Sequence, residues 1–94
     1  MFQVESSKTF RRKYAKLIVH NQLVKLKVDG AIEQLKNNPW HASLKTHKVK
    51  TPKWGELYSS RATGDIRIIW RRLGKQLILV LVDIGGHSGT KSVY

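Results

Sequence analysis

Two hydrophobic periods run along the chain, and the switch between them divides it into a helical first part and a β second part. Residues 2–4 read apolar–polar–apolar and predict a short opening strand. Ser6 or Ser7 then offers a hydroxyl to the free amides of a first helical turn. Phe10, Tyr14 and Leu17 follow at i, i+4 and i+7, one face of a helix, with Arg11, Arg12, Lys13 and Lys16 mostly elsewhere on it. Asn21 is a second cap. From it Val24, Val28, Ala31, Ile32 and Leu35 trace another helical stripe, and Asn37-Asn38-Pro39 ends it. Gly30 lies inside that helix at a cost of about 1 kcal/mol relative to alanine. The tight connection predicts an antiparallel helical hairpin.

Residues 40–55 carry no clear period. Pro52 argues against a central strand there, so the segment reads as a basic loop with at most a short strand near 48–50. The period of two then takes over. Residues 57–62 are one strand, Thr63-Gly64 a turn, and 66–72 a second strand. Leu73-Gly74-Lys75 turns again into a third strand at 77–84. That strand is apolar on both faces and belongs in the sheet interior, with Gly85-Gly86 breaking it. The order β-α-α-β-β-β predicts an α+β fold, with two N-terminal helices packed on one face of a small antiparallel sheet. Its other face is left as a binding surface.

Alternation assigns faces within the sheet. Ile66, Ile68 and Trp70 face the helices. Asp65, Arg67, Ile69 and Arg71 share the open face, so Arg67 projects from it. Whether Arg61 or Tyr58 lies beside Arg67 depends on register, which the sequence does not set. A solvated cross-strand pair with Asp65 or Glu56 would also account for the arginine.

Composition sharpens this picture. The chain has 94 residues, 18 Lys plus Arg against 6 Asp plus Glu, and a formal net charge of +12. Such an excess on a small folded domain points to a polyanionic partner, nucleic acid first. No acidic residue stands between Glu33 and Glu56, a stretch holding Lys36, Lys45, Lys48, Lys50 and Lys53 and bracketed by Trp40 and Trp54. Cations hold phosphates and rings stack bases. The absence of cysteine excludes disulfides, thiol catalysis and thiolate zinc sites. His41, His47 and His87 fit no standard zinc spacing, and lysines flank the first two. There is no phosphate-cradling glycine loop and no Ser-His-Asp arrangement. The longest apolar run, residues 77–82, is far short of the roughly 20 residues that span a bilayer, and no signal-peptide pattern opens the chain. These features predict one cytoplasmic domain over residues 1–94, with no membrane partner. His87, after two glycines, can move protons near neutral pH. Tyr94 can stack on a base or supply a phenolic proton.

The run L-K-T-H-K-V-K (44–50), Y-S-S-R (58–61), D-I-R-I-I-W (65–70), L-V-D-I-G-G-H (81–87) and the closing V-Y (93–94) resembles the RelE/ParE superfamily of toxins. More narrowly, it is similar to the RelE/YafQ/YoeB-type mRNA interferases. The resemblance implies a RelE-like toxin domain, neutralised by a cognate antitoxin encoded beside it. It implies an endoribonuclease that enters the ribosomal A site, touches 16S ribosomal RNA and cuts mRNA without metal or cofactor, by attack of the 2′-hydroxyl on its own phosphate. Under it, Arg67 supports the scissile phosphate, His87 is the general acid and Tyr94 stacks a base or helps proton transfer. Arg61, Lys45, Lys48, Lys50, Lys53 and Trp54 would hold RNA. The chain departs from relatives in lacking their paired strand lysines, where Leu57 and Ser59 stand, and their glutamate base near Ala42 or Ser43. The base is therefore open: His47 is the first candidate, then Glu56 or Asp65. Two other readings share the fold, a ParE-like inhibitor of DNA gyrase and a non-catalytic nucleic-acid-binding member.

Overall fold

Two capped helices form where the periodicity places them. A computed structural model describes residues 1–86. β1 (Gln3–Ser6) leads into α1 (Lys8–Ile18), where the Ser7 hydroxyl accepts from the Phe10 amide at 3.0 Å. α2 (Gln22–Asn37) is capped by Asn21, whose Oδ1 accepts from the Val24 amide at 3.2 Å. Each cap satisfies an amide that the first turn leaves without a partner. Tyr14 bridges the helices by donating to Asp29 Oδ1 at 2.5 Å. α2 returns the chain to its start, where the Phe2 amide donates to the Lys36 carbonyl at 2.7 Å.

A single 3₁₀ turn (Ala42–Leu44) buries Leu44. Four strands follow: β2 (His47–Thr51), β3 (Gly55–Arg61), β4 (Ile66–Arg72) and β5 (Ile78–Gly86). The sheet order is β1-β5-β4-β3-β2. The expected α+β layering holds: two helices lie against a mostly antiparallel sheet. Phe10, Val28, Ala31, Leu35 and Leu44 pack there on Ile66, Ile68, Trp70, Leu79, Leu81 and Ile84.

Four expectations change. β1 pairs parallel with β5, Gln3 opposite Ile78. A strand's hydrophobic pattern reads the same in both directions, and its sense is set by the chain reversals in between. The basic segment holds a full five-residue strand, not a loop. β2 lies at the sheet edge, and Pro52 falls in the turn after it. β5 is interior as expected, but it continues through Gly85 and Gly86, which pair with Arg67 and Ile66. A glycine backbone hydrogen-bonds like any other, and Asp65 fills the space beside Gly86, with Oδ2 3.2 Å from where a Cβ would stand. Finally, the face away from the helices is partly covered. Leu57, Ile69 and Val82 form a second small cluster there, packed by Val49, Trp54 and Val80.

Candidate nucleic-acid interface

Register decides which of the candidate residues meet. Arg61 of β3 stands directly opposite Arg67 of β4, which in turn stands opposite Gly85 of β5. Directly opposed residues leave the sheet on the same face. Arg61, not Tyr58, is therefore the neighbour of Arg67; Tyr58 pairs with Trp70 toward the helices. The next row on the open face runs His47, Ser59, Ile69, Asp83 across all four strands.

Arg67 does not project freely as alternation suggested. It is 7% exposed, and its Nη1 donates to the carbonyls of Thr63 (3.0 Å), Gly64 (3.3 Å) and Ile66 (3.4 Å). The β3–β4 turn is itself fixed by the Thr63 hydroxyl, which accepts from the amides of Asp65 (3.1 Å) and Ile66 (2.9 Å). The turn thus orients one edge of the guanidinium, and Nε and Nη2 carry the rest of its donor fork. Among the described residues the ion pairs are Lys13–Asp83, Lys25–Asp29 and Lys36–Glu33, and neither arginine takes part. Arg61 also lines a cleft against α2 with Lys27 and Gln34. Like charges at opposed strand positions raise the local potential, and an anion relieves it.

Among the described residues, two buried polar atoms in this region find no hydrogen-bond partner: Ser59 Oγ and Arg61 Nε. Ser59 is 0% exposed. An unpartnered buried polar atom costs about 1–3 kcal/mol, so two neighbours on one strand mark a place where stability is given up.

The other candidates divide. His47 is exposed on the open face, with Nδ1 3.0 Å from the Lys45 carbonyl. Since a carbonyl only accepts, that contact puts the proton on Nδ1 and leaves Nε2 as a free acceptor. His47 is two strands from Arg67, about 10 Å across the sheet. Trp54 lies over the small apolar cluster, with the Lys53 ammonium 5.0 Å from its ring centre. Lys45, exposed, closes the 3₁₀ turn in the left-handed conformation (φ 48°). Lys48 and Lys50 pair with Tyr58 and Glu56 and so leave β2 on the side opposite to His47, away from the arginines. Glu56 goes with them. Trp40, the other bracket of the basic segment, packs on Tyr58 and Trp70 at 5.1 and 5.9 Å between ring centres. His87 and Tyr94 lie outside the described residues.

One feature of this face escaped the sequence. Asp83 is 3% exposed and pairs with Lys13 of α1 at 2.8 Å; its Oδ1 also accepts from the Ile84 amide at 2.9 Å. An irregularity in the β4–β5 ladder places it there. Ile69 pairs with Asp83 but Trp70 with Leu81, so Val82 is extra and shares the open face with Asp83. Ser7 donates to the Val82 carbonyl at 2.7 Å at the same point. The lone acidic residue inside the apolar run 77–84 was the available signal. Among the described residues no three His, Cys, Asp or Glu side chains gather as a metal site. No described helix is long and apolar enough to cross a membrane.

No protein-family model and no curated protein matches the sequence. Solved structures do. The YoeB/ParE toxin from Agrobacterium tumefaciens superposes at a TM-score of 0.75 with 17% identity, over 93% of this chain and 100% of that one. YafQ from Escherichia coli matches at 0.68 with 23% identity, over 92% and 93%. The E. coli DinJ–YafQ complex matches at 0.69 with 22% identity, over 93% and 94%. The structural neighbours of this chain are thus YoeB/ParE and YafQ toxins of the RelE/YoeB toxin family, and it shares their fold.

Proposed function

We propose that this protein is the toxin of a type II toxin–antitoxin system and an mRNA endoribonuclease that works on the ribosome. The observation that carries the reading is the facing pair Arg61 and Arg67 on the open sheet face, outside any ion pair among the described residues. The shared fold and the +12 charge support it.

In the proposed reaction an RNA phosphodiester lies against the two guanidinium groups. The 2′-hydroxyl attacks the adjacent phosphorus, a P–O bond to the 2′-oxygen forms, and the bond to the 5′-oxygen breaks. The products are a 2′,3′-cyclic phosphate and a 5′-hydroxyl. Arg67 stabilises the charge that builds on the non-bridging oxygens, a task suited to a permanently charged, forked donor. One proton leaves the 2′-hydroxyl for a base, and one reaches the departing 5′-oxygen from an acid. His47 Nε2 is the first candidate for the base and His87 for the acid; Tyr94 stacks a base or aids proton transfer. The chemistry needs no metal or cofactor. Arg61, Lys53 and Trp54 line the same face as Arg67 and hold RNA there. Lys48 and Lys50 leave β2 on the other side and, with Lys45, are assigned to ribosomal RNA, including 16S. A cognate antitoxin, as in the DinJ–YafQ complex, would neutralise the protein in the cytoplasm.

Mapping mRNA 5′ ends on translating ribosomes tests this. Wild type should give cuts within A-site codons. Arg67→Ala should lower cleavage about 10²–10³-fold, the usual loss on removing one donor to a developing charge, and remain folded. A folded, toxic protein that gives no cuts would overturn the nuclease reading and favour gyrase inhibition, which a supercoiling assay reads.

A further inference from the structure

The open face does not end at the arginines. Between α1 and the β2–β3 turn lies a cleft of about 210 Å³, lined by Thr9, Arg12, Lys13, Lys53, Trp54 and Asp83. Its walls come from three distant parts of the chain, and it holds three cations against one carboxylate. Lys13 is already committed to Asp83 at 2.8 Å. Arg12 and Lys53, both exposed, are in no ion pair among the described residues and stand on opposite walls. Trp54 supplies a flat ring packed on Leu57, Ile69 and Val82. The Lys53 ammonium sits 5.0 Å from the centre of that ring, a weak cation–π contact at an exposed site. A stacked base makes the stronger contact and can displace it.

Position ties the cleft to the arginines. Asp83 and Ile69 are one row along the strands from Arg67, about 7 Å, and Trp54 lies beyond them on the same face. A strand of RNA seated at Arg61 and Arg67 would therefore pass Ile69 and reach the cleft with a neighbouring nucleotide.

We infer that the cleft between α1 and the β2–β3 turn is a second nucleotide subsite, in which Trp54 stacks a base and Arg12 and Lys53 hold its phosphate. This rests on the proposed RNA-cutting function and adds Arg12 to the RNA-contacting residues. An acidic peptide would satisfy the two cations, but it would leave the indole unused and would not account for continuity with the arginine pair.

The probes are uncleavable 2′-O-methyl oligoribonucleotides, a dinucleotide and a tetranucleotide, titrated into the full-length protein. The tetranucleotide should bind on the order of tenfold more tightly and quench tryptophan emission, from stacking on Trp54. The double variant Arg12→Gln/Lys53→Gln should lose that length-dependent gain, with an unchanged thermal unfolding midpoint reporting an intact fold. Its salt dependence should flatten by about 0.7 for each phosphate that the protein no longer neutralises. Trp54→Phe should keep much of the affinity and lose the quenching. If tetranucleotide binding falls with Arg67→Ala but not with the double variant, the subsite is overturned and the proposed function stands. If neither change matters, both fall. If poly-glutamate binds the cleft more tightly than the tetranucleotide does, and the double variant abolishes that binding, the cleft belongs to a protein partner and the inference fails.

Discussion

The two faces of the sheet solve opposite problems with the same strands. Toward the helices every large group is answered. Trp70 is fully buried, stacks on Tyr58 at 4.8 Å and donates Nε1 to Ser60 Oγ at 2.8 Å; Ser60 also contacts Thr46 Oγ1 at 2.6 Å. On the open face the neighbouring residues of the same strands are Ser59 and Arg61, each with a buried polar atom left unpaired, and Arg61 faces another arginine. Adjacent residues thus serve different ends. The helix side holds the fold, and the open side gives up stability in a form that a polyanion can return.

The sharpest test of that contrast is truncation on the helix side. Trp70→Ala should cost about 3–5 kcal/mol in urea unfolding, since it empties the place of a fully buried ring and removes the Nε1 hydrogen bond to Ser60. A cost below about 1 kcal/mol would place the core elsewhere. Next comes the exception on the open face, the buried Asp83. Lys13→Met leaves this carboxylate without its cation and should cost about 1–3 kcal/mol. The added change Asp83→Asn should recover part of the loss, and a double-mutant cycle reads the coupling directly. Simple additivity would show that the 2.8 Å pair is not energetically coupled.

Arg61→Gln should act in the other direction. Removing one of two facing charges should raise stability by about 0.5 kcal/mol while RNA binding weakens. Lowered stability with unchanged binding would make Arg61 an ordinary structural residue.

The smallest effect lies outside both faces, where Tyr14, Lys25 and Asp29 tie the helices together. Hydrogen bonds from Lys25 and Tyr14 hold the Asp29 carboxyl below its usual 3.8. The hydrogen bond to Asp29 raises Tyr14 above 10.0 and Lys25 above 10.5. A lowered carboxylate contributes stability above its usual value and loses it as pH falls through the folded one. The raised partners contribute below their usual values and lose it as pH rises through the folded ones. The stability difference between wild type and Asp29→Asn should therefore be flat between about pH 4 and 10 and shrink on both sides. A difference that grows below about pH 4 would mean the carboxylate is not stabilised there. Both partners of the Lys25–Asp29 pair are about 40% exposed, so the effect is small.

The fold was legible where side-chain pattern and caps coincide. Asn21 and Ser7, followed by periodic apolar residues, mark where both helices begin and which face they bury. Legibility failed where backbone or topology decides. The sequence H-K-V-K-T at 47–51 has one apolar residue to show, because an edge strand with a wet face needs no more. Gly85 and Gly86 look like a break because they carry no side chain to signal pairing. For the site, alternation correctly put Arg67 on the open face, but its turn carbonyls, its register with Arg61 and the division of the lysines between two faces are tertiary facts. Asp83 reaches that face through an extra residue at Val82, which breaks the period of two that sequence reasoning relies on.

The parallel pairing of β1 with β5 bears on how the molecule assembles. Gln3 finds its strand partner at Ile78, and Ser7 finds the Val82 carbonyl, across 75 residues of chain. Closing so long a loop costs entropy that the nearer contacts, Arg11 with Ser6 and Phe2 with Lys36, must help to offset. The β4 strand carrying Arg67 likewise lacks one neighbour until β5 is present. During synthesis the first strand must wait for the fifth, and the helical hairpin, held by local caps and the Tyr14–Asp29 bond, can form well before either. The arginine face is therefore assembled last, in a slow step dominated by distant contacts, after most of the polypeptide has left the machinery that makes it.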